Sequence, residues 1–255
     1  MRRLFLSDVH LSPGDLQRAA RLLAALEREA PRADEIYILG DLFDYWIGPK
    51  HLKDPDHREV LDRLRAITEG GVRVFFLLGN RDFYMGGFAE ATGVEVVQGK
   101  TEHEIAAGSQ RVYLCHGEYL VGRRGLAFRA QEFFRSRPVE WLYTRLPAFL
   151  SKRGARLYRW VSERRFLPAG RRGSRVVHLS PELLAERFRT GIDVIVCGHV
   201  HHPERRVSVI DGQEKVLFTL GDWSEGASYL VEEDGRWRLY PGASSGVPAR
   251  RDRPQ

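Results

Sequence analysis

The chain has 255 residues, and its 40 lysines and arginines against 34 aspartates and glutamates give a formal net charge of +6. Apolar residues make up 43% and charged residues 29%, a balance typical of a folded globular protein that excludes a disordered or fibrous one. The charge is unevenly distributed. Residues 122–190 hold 17 basic and 5 acidic residues, a net +12, whereas the rest of the chain holds 23 and 29, a net −6. The sequence predicts an acidic body that carries a basic insert and has an anionic partner.

Two cysteines, Cys115 and Cys197, are too few for a disulfide framework or a zinc ribbon, and both lie in apolar runs. They are expected to be buried, reduced thiols. The basic N-terminus is not followed by the apolar stretch of a signal peptide, and no window has the roughly 20 apolar residues of a membrane span. We therefore expect a soluble, cytoplasmic protein that could still contact a membrane at its surface.

Apolar periodicity divides the first half of the chain into alternating strands and helices. Strands are predicted at 4–9, 35–39 and 72–78, with helices at 16–30 and 58–69 between them. This alternation is typical of βαβ units, in which helices cover a sheet. The later strands are predicted at 94–97, 103–106, 112–115 and 194–197, and then as a meander, with a turn at Asp211-Gly212, over 207–210, 216–220, 228–232 and 237–240.

The middle of the chain differs in character. Helices rich in aromatic residues and arginine are expected at 126–134, 139–150 and 155–165, followed by a basic loop over 164–175. A helix over 181–189 begins at Ser180-Pro181, a capping residue followed by a first-turn proline. Residues 242–255, rich in Gly, Ser, Pro and Arg, are expected to form a disordered tail.

Five short segments place polar, metal-binding residues directly after apolar strands. They are Asp8-Val9-His10, Gly40-Asp41-Leu42-Phe43-Asp44, Gly79-Asn80-Arg81-Asp82, His116-Gly117-Glu118 and Gly198-His199-Val200-His201. A single aspartate or histidine after a strand is usually a turn or cap residue. Side chains at the carboxyl ends of neighbouring strands, however, converge on one crevice. Five such segments together therefore predict a single site.

The chemistry of these side chains points to metal ions. The candidate ligands are Asp8, His10, Asp41, Asn80, His116, His199 and His201. Carboxylate, amide and imidazole groups suit Mn²⁺, Fe²⁺ or Zn²⁺ better than Ca²⁺. Seven ligands exceed the needs of one ion but fit two divalent ions that share a bridging carboxylate, an arrangement that recurs in phosphatases.

The order D-x-H, G-D, G-N, H-G, G-H-x-H resembles that of the calcineurin-like metallophosphoesterases, from residue 4 to about residue 225. The resemblance implies an α/β (α+β) fold, a sandwich of two sheets flanked by helices. It also implies a hydroxide between two metals that attacks phosphorus. We expect His10, Asn80 and Arg81 to take a direct part in catalysis. The implied ligands are Asp8, His10, Asp41 and His201 for one metal, and Asp41, Asn80, His116 and His199 for the other, with Asp41 bridging.

Arg81 stands where many members of this family carry a histidine that acts as a general acid. An arginine stays charged at any working pH and cannot donate a proton in catalysis. It can bind phosphate oxygens and stabilise charge that develops in the transition state. Arg81 therefore favours a leaving group that needs no protonation, such as a nucleotide phosphate released from a pyrophosphate.

Three segments narrow the resemblance to the UDP-2,3-diacylglucosamine hydrolases of lipid A synthesis: Gly79-Asn80-Arg81-Asp82-Phe83, residues 40–48 and Leu220-Gly221-Asp222-Trp223. This resemblance implies Mn²⁺-dependent cleavage of a pyrophosphate at its α-phosphorus, giving UMP and 2,3-diacylglucosamine 1-phosphate (lipid X). It also implies a helical cap between the His116 and His199 segments. We accordingly divide the chain into a core of residues 1–121 and 191–241 and a basic cap insertion of residues 122–190.

The aromatic residues of the cap either pack its helices together or line a groove for acyl chains, with arginines that attract an anionic membrane surface. The expected partners are a nucleotide-linked glycolipid and the inner face of the cytoplasmic membrane. Two features depart from the family pattern: Glu118 replaces an aspartate, and residues 158–175 lack the expected Ser/Asn/Lys pattern. The expected substrate contacts are Arg81, Glu118, Arg156, Arg159, Arg164 and Arg165.

Other functions stay open at this point. A metallophosphoesterase of this type could act on a nucleotide phosphodiester or on single-stranded nucleic acid, which a basic cap with aromatic residues could bind. Nucleic acid is the less favoured partner. A non-catalytic scaffold is a further alternative, but a binding module has no reason to keep seven costly polar ligands together. An open basic groove would favour the nuclease, and a closed apolar cleft would favour the lipid hydrolase.

Overall fold

The computed structural model describes residues 1–46, 48–82, 84–97, 102–122 and 178–242, with single positions between 133 and 154. Short 3₁₀ helices occupy Ala30–Arg32, Pro49–Lys53 and Glu118–Val121. The α-helices described over their full length are α1 (Leu16–Glu29), α2 (Pro55–Glu69), α3 (Phe88–Thr92) and α4 (Pro181–Arg189). The strands are β1 (Arg2–Leu6), β2 (Glu35–Ile38), β3 (Arg73–Phe76), β4 (Glu95–Val96), β5 (Glu102–Ala107), β6 (Gln110–Cys115), β7 (Val194–Cys197), β8 (Glu204–Ile210), β9 (Gln213–Thr219), β10 (Ser228–Glu233) and β11 (Arg236–Pro241).

The described strands form two mixed sheets. The first sheet has the order β11-β10-β1-β2-β3-β4, in which β1 to β4 run parallel. The second has the order β5-β6-β7-β9-β8, in which β6, β7 and β9 run parallel. Antiparallel strands flank the parallel strands of the second sheet on both sides and those of the first sheet at β10. The expected α/β architecture of two sheets with helices is confirmed.

Alternating side chains of the parallel strands build a layered core. Leu4 and Leu6 face α1 and α2, whereas Phe5 between them faces the second sheet. The layer between the sheets also contains Tyr37 and Phe75 from the first sheet and residues such as Leu114 from the second. Because both faces of the central strands are buried, these strands appear in the sequence as continuous apolar runs.

The helix ends follow the expected capping chemistry. Asp15 accepts a hydrogen bond from the Arg18 amide at the start of α1. Helix α2 begins at Pro55, three residues before the predicted start, because Asp54 caps it and proline suits the first turn. Helix α3 lies between Gly87 and Gly93, both with positive φ, and its five residues are too few for a periodic signal.

The helix predicted over 181–189 is confirmed as α4, with Ser180 capping the Leu183 amide. Its Leu184 and Phe188 pack against the second sheet, next to both buried, unpaired cysteines. The division of the chain into core and cap stays a prediction. The helices predicted over 126–165 and the tail beyond residue 242 lie outside the described residues, apart from single positions.

The predicted C-terminal meander is wrong. Strands β8 and β9 form a hairpin through Asp211-Gly212, whose positive φ angles suit a tight turn, but this hairpin belongs to the second sheet. Strands β10 and β11 form a separate hairpin in the first sheet, where β10 pairs with β1. The chain passes from one hairpin to the other after β9, where Leu220 and Trp223 are buried. Alternation within each strand could not reveal this change of sheet.

Candidate metal centre

The loops that follow β1, β2, β3, β6 and β7 meet at one edge of the sandwich, and backbone hydrogen bonds join them. The His10 amide donates to the Asp41 carbonyl over 2.9 Å, and the Gly198 amide donates to the His116 carbonyl over 2.9 Å. The Asp8 carboxylate accepts a 2.8 Å bond from the His199 amide and so joins the first loop to the last. The loops of the two sheets therefore form one connected structure.

Five residues in these loops have the left-handed backbone conformation, with φ between 51° and 68°. They are Asp8, His10, Asp41, His199 and His201. Residues other than glycine rarely adopt this conformation, and where they do the strain is often associated with a functional site. All five are predicted metal ligands, so the unusual backbone accompanies the polar side chains that converge here.

Two glycines allow the backbone to lie close to the carboxylates of Asp41 and Asp8. A Cβ atom on Gly79 would lie 2.3 Å from Asp41 Oδ1, and one on Gly198 would lie 2.2 Å from Asp8 Oδ2. Neither distance is possible without moving the carboxylate. The glycines of the G-N and G-H-x-H segments are therefore required by space around the two aspartates.

One group of side chains surrounds Asp8. Its Oδ1 lies 3.3 Å from His201 Nε2 and 3.8 Å from His10 Nε2, and the two imidazole nitrogens are 3.1 Å apart. Asp8 and His10 are buried, whereas His201 is exposed. These three residues offer ligand atoms close enough to share one ion.

A second group surrounds Asp41. Its Oδ2 lies 3.7 Å from His116 Nε2 and 3.8 Å from His10 Nδ1, so Asp41 is close to both groups. Asn80 Oδ1 lies 2.8 Å from His116 Nε2 and 3.2 Å from His199 Nδ1. Asp8, Asp41 and His116 also offer ligand atoms that one ion could share. The structure thus brings all seven predicted ligands into one cluster.

The residues fit a pair of metal ions chemically. Among the described residues, His10 Nδ1 is buried without a hydrogen-bond partner, and Asp8 Oδ1 makes no hydrogen bond of good geometry although His201 Nε2 lies 3.3 Å away. Such buried polar atoms are costly unless a ligand occupies the space. His116 Nδ1 lies 2.8 Å from the Leu39 carbonyl, to which it must donate, so Nε2 is the nitrogen that can release its proton and bind a metal. Buried carboxylate and imidazole groups that converge in this way are suitable ligands for Mn²⁺, Fe²⁺ or Zn²⁺.

The pKa values of the cluster reflect burial and mutual charge. Burial, with the charge of His116, lowers the pKa of His199 to about 3. Burial and the nearby Arg81 hold the pKa of His10 well below its ordinary value, so both imidazoles are neutral. Burial opposes the charged form of His116, but Asp41 and Asp8 outweigh it and raise its pKa to about 9. Without metal, His116 is therefore a cation among carboxylates.

Arg81 lies at the edge of this cluster, with 26% of its side chain exposed. Its Nη1 donates to Asp44 Oδ1 over 2.6 Å, and its Nε lies 3.6 Å from Asp41 Oδ2. Glu118 is half-buried, and its charge contributes to the raised pKa of His116. The remaining predicted substrate contacts lie outside the described residues: Arg156, Arg159, Arg164 and Arg165.

Asp44 and Asp82 are buried beside the cluster and are not among the predicted ligands. Asp82 Oδ2 accepts bonds from the Asp41 amide over 2.7 Å and from the Gly79 amide over 2.9 Å. It therefore fixes the two ligand loops to each other. Both aspartates lie inside the G-D and G-N segments, but a local pattern gives no sign of contacts across about 40 residues of chain.

Within the part of the chain that the structure describes, no helix is long and apolar enough to cross a membrane.

The fold and the cluster define a phosphoesterase, and comparison with known families agrees. The calcineurin-like phosphoesterase family matches residues 1–203, and the chain belongs to this family. It is a hydrolase with candidate sites for divalent metals.

Curated relatives narrow the comparison further. The chain is 32% identical to the UDP-2,3-diacylglucosamine hydrolase of Aeromonas salmonicida over 94% of its own length and 92% of the relative's. It is 33% identical to the enzyme of the same name from Vibrio cholerae, over 91% of this chain and 94% of that one. Among solved structures, the phosphoesterase Yfce of E. coli matches with 18% identity and a TM-score of 0.42, over 92% of this chain and 89% of that one.

Proposed function

We propose that the protein hydrolyses the pyrophosphate of UDP-2,3-diacylglucosamine, releasing UMP and 2,3-diacylglucosamine 1-phosphate, with two Mn²⁺ ions as its cofactors. Similarity to the curated hydrolases extends over almost the whole of both chains, which supports this substrate. The observation that carries the proposal is the cluster of seven side chains in which buried Asp8 and His10 atoms make no hydrogen bond of good geometry among the described residues.

The proposed ligands divide into two overlapping sets. One set is Asp8, His10, Asp41 and His201, and the other is Asp41, Asn80, His116 and His199. The position of Asp41 Oδ2, less than 4 Å from both His10 and His116, supports its role as the bridge. Two bound divalent ions would polarise the phosphoryl group and lower the pKa of the attacking water.

The residues of the chain itself then bind and orient the substrate. Arg81 has a permanent charge beside the cluster and binds oxygens of the pyrophosphate, where it stabilises negative charge that develops during cleavage. It donates no proton, and the leaving sugar phosphate needs none, because a phosphate is a stable anion at neutral pH. Asp82 keeps the Asp41 and Asn80 loops together during this reaction.

The cap would bind the acyl chains and the membrane. At the single positions described in this region, Phe133, Leu142 and Leu150 are exposed apolar side chains. Lys50 donates a hydrogen bond to the Leu146 carbonyl, so the insertion contacts the chain shortly after Asp41. We propose that Glu118 and the cap arginines contact the substrate and that the protein works at the inner face of the cytoplasmic membrane.

A substrate comparison tests this function. With Mn²⁺ present, turnover of UDP-2,3-diacylglucosamine is expected to exceed that of bis-p-nitrophenyl phosphate and single-stranded DNA. The Asn80→Ala variant should be inactive on all three, and Asp62→Asn, which alters an exposed carboxylate of α2, should behave like the parent. Brisk turnover of either alternative without turnover of the lipid would reject the substrate but keep the phosphoesterase.

A further inference from the structure

Arg81 poses an electrostatic problem for the bridging carboxylate. Its backbone amide donates to Asp41 Oδ1 over 2.9 Å, and its guanidinium Nε lies 3.6 Å from Asp41 Oδ2. Arginine readily forms two parallel hydrogen bonds to a carboxylate. Such a pair with Asp41 would occupy the oxygens that the proposed metals require, and it would turn the guanidinium away from the substrate.

Asp44 is placed to prevent this. It follows Asp41 by three residues, its side chain is only 4% exposed, and it holds Arg81 Nη1 at 2.6 Å. The Asp44 amide donates to the Leu11 carbonyl, and the Trp46 amide donates to the Arg81 carbonyl. Both ends of the ion pair are therefore fixed to the backbone of neighbouring loops.

We propose that Asp44 is a positioning residue that holds the Arg81 guanidinium away from the bridging carboxylate of Asp41. In this arrangement Asp41 keeps its oxygens for the metals, and Arg81 keeps donors for a substrate phosphate. The inference rests on the metal assignment of the proposed function. It does not depend on the identity of the lipid.

Calorimetric titration of metal-free protein with Mn²⁺ tests the inference without substrate. Asp44→Ala should weaken Mn²⁺ binding by about 10-fold or more, because Arg81 loses its acceptor and pairs with Asp41. Arg81→Ala should bind Mn²⁺ at least as tightly as the parent. The double variant should return to within about twofold of Arg81→Ala, because the competing guanidinium is gone.

The double variant separates positioning from a merely structural role. If Asp44 only supports the fold, removing Arg81 as well cannot restore the affinity. Unchanged Mn²⁺ binding in Asp44→Ala, or a double variant as weak as Asp44→Ala, would overturn the inference. Asp62→Asn, an exposed carboxylate change on α2, is the matched control and should bind Mn²⁺ normally.

Asp44→Asn replaces Asp44→Ala in the Mn²⁺ titration if the alanine variant does not fold. It keeps a neutral acceptor of the same shape, so Mn²⁺ binding should weaken less, by about threefold, and only while Arg81 is present. If the protein does not turn over the lipid but the double variant regains Mn²⁺ affinity as expected, the proposed substrate alone is rejected. Absence of Mn²⁺ binding by the parent protein would reject the metal assignment, and this inference with it.

Discussion

The two ends of the first sheet both bury charged side chains, but they neutralise them in different ways. At the amino end of β1, buried Arg3 donates to Glu35 Oε2 and to Glu232 Oε2, each over 2.8 Å. The strand register sets Arg3 opposite both glutamates, and Arg73 pairs with Glu35 as well, so two cations balance the two anions within the chain. At the carboxyl end, Asp8 and Asp41 face imidazoles, and Asp41 also faces the guanidinium of Arg81.

This difference separates a structural charge network from a functional one. At the amino end, every carboxylate oxygen of Glu35 and Glu232 accepts a hydrogen bond from the chain itself. The carboxyl end instead combines left-handed backbones with buried atoms that make no hydrogen bond of good geometry among the described residues. Buried charges alone therefore do not identify a site. Incomplete neutralisation together with backbone strain is the more specific sign.

The largest expected effect comes from removing a carboxyl-end ligand. Asp41→Ala or Asn80→Ala should abolish Mn²⁺-dependent hydrolysis of bis-p-nitrophenyl phosphate. The metal-free protein should stay folded, because burial raises the pKa of Asp41 and its charged form does not favour the native state. Circular dichroism and a melting curve without metal would check the fold. Full activity in either variant would refute the two-metal assignment.

A substitution at the amino end of β1 should change the stability of the protein and not its activity. Arg3→Met removes the arginine partner of buried Glu232 and leaves Glu35 with Arg73 alone, and it should lower the free energy of unfolding by about 3–5 kcal/mol. Activity per folded molecule should not change, since the pair lies away from the ligand loops. Arg65→Met, which breaks the exposed pair with Glu69, is the control and should cost at most about 1 kcal/mol in urea unfolding. A loss of turnover in folded Arg3→Met would contradict the conclusion that the charges at the amino end have a structural role only.

Arg81→Ala should lower kcat by more than about 10², by analogy with the loss of a donor that stabilises transition-state charge. Steady-state kinetics distinguish this role from simple binding. A raised KM with unchanged kcat would indicate that Arg81 binds ground state and transition state equally. Arg81→Lys keeps the positive charge but loses the planar guanidinium group. Its kcat should therefore lie between that of the parent and that of Arg81→Ala.

The smallest effect is a pH dependence of the metal-free protein. The pKa of His116 is about 9 in the folded state, above its ordinary value of 6.5, so its contribution to stability is complete below pH 6.5 and is lost as the pH rises toward 9. The loss should be on the order of 1–3 kcal/mol. Urea unfolding at pH 6.5, 7.5 and 9 would measure it, and His116→Gln should flatten the trend. Over the same interval Mn²⁺ should bind more tightly, since binding displaces the His116 proton.

Much of the site could be predicted from the sequence because its ligands follow strands at short, fixed spacings. The apolar runs indicate the strand ends, and the carboxyl ends of parallel strands must converge. The sequence could not reveal that β10 pairs with β1, because that contact joins opposite ends of the chain. It could not assign Asp44 and Asp82 either, since their partners become neighbours only after the loops fold together. The roles of the cap arginines stay predictions.

The distribution of the ligands over the two sheets has a mechanical consequence. Asp8, Asp41 and Asn80 follow strands of the first sheet, whereas His116, His199 and His201 follow strands of the second. Ions bound between them would cross-link the two sheets at one end of the sandwich and oppose their separation. Amide hydrogen exchange near that end should then slow in both sheets together when metal is added. The proposed cofactor would thus set how easily the two halves of the protein come apart.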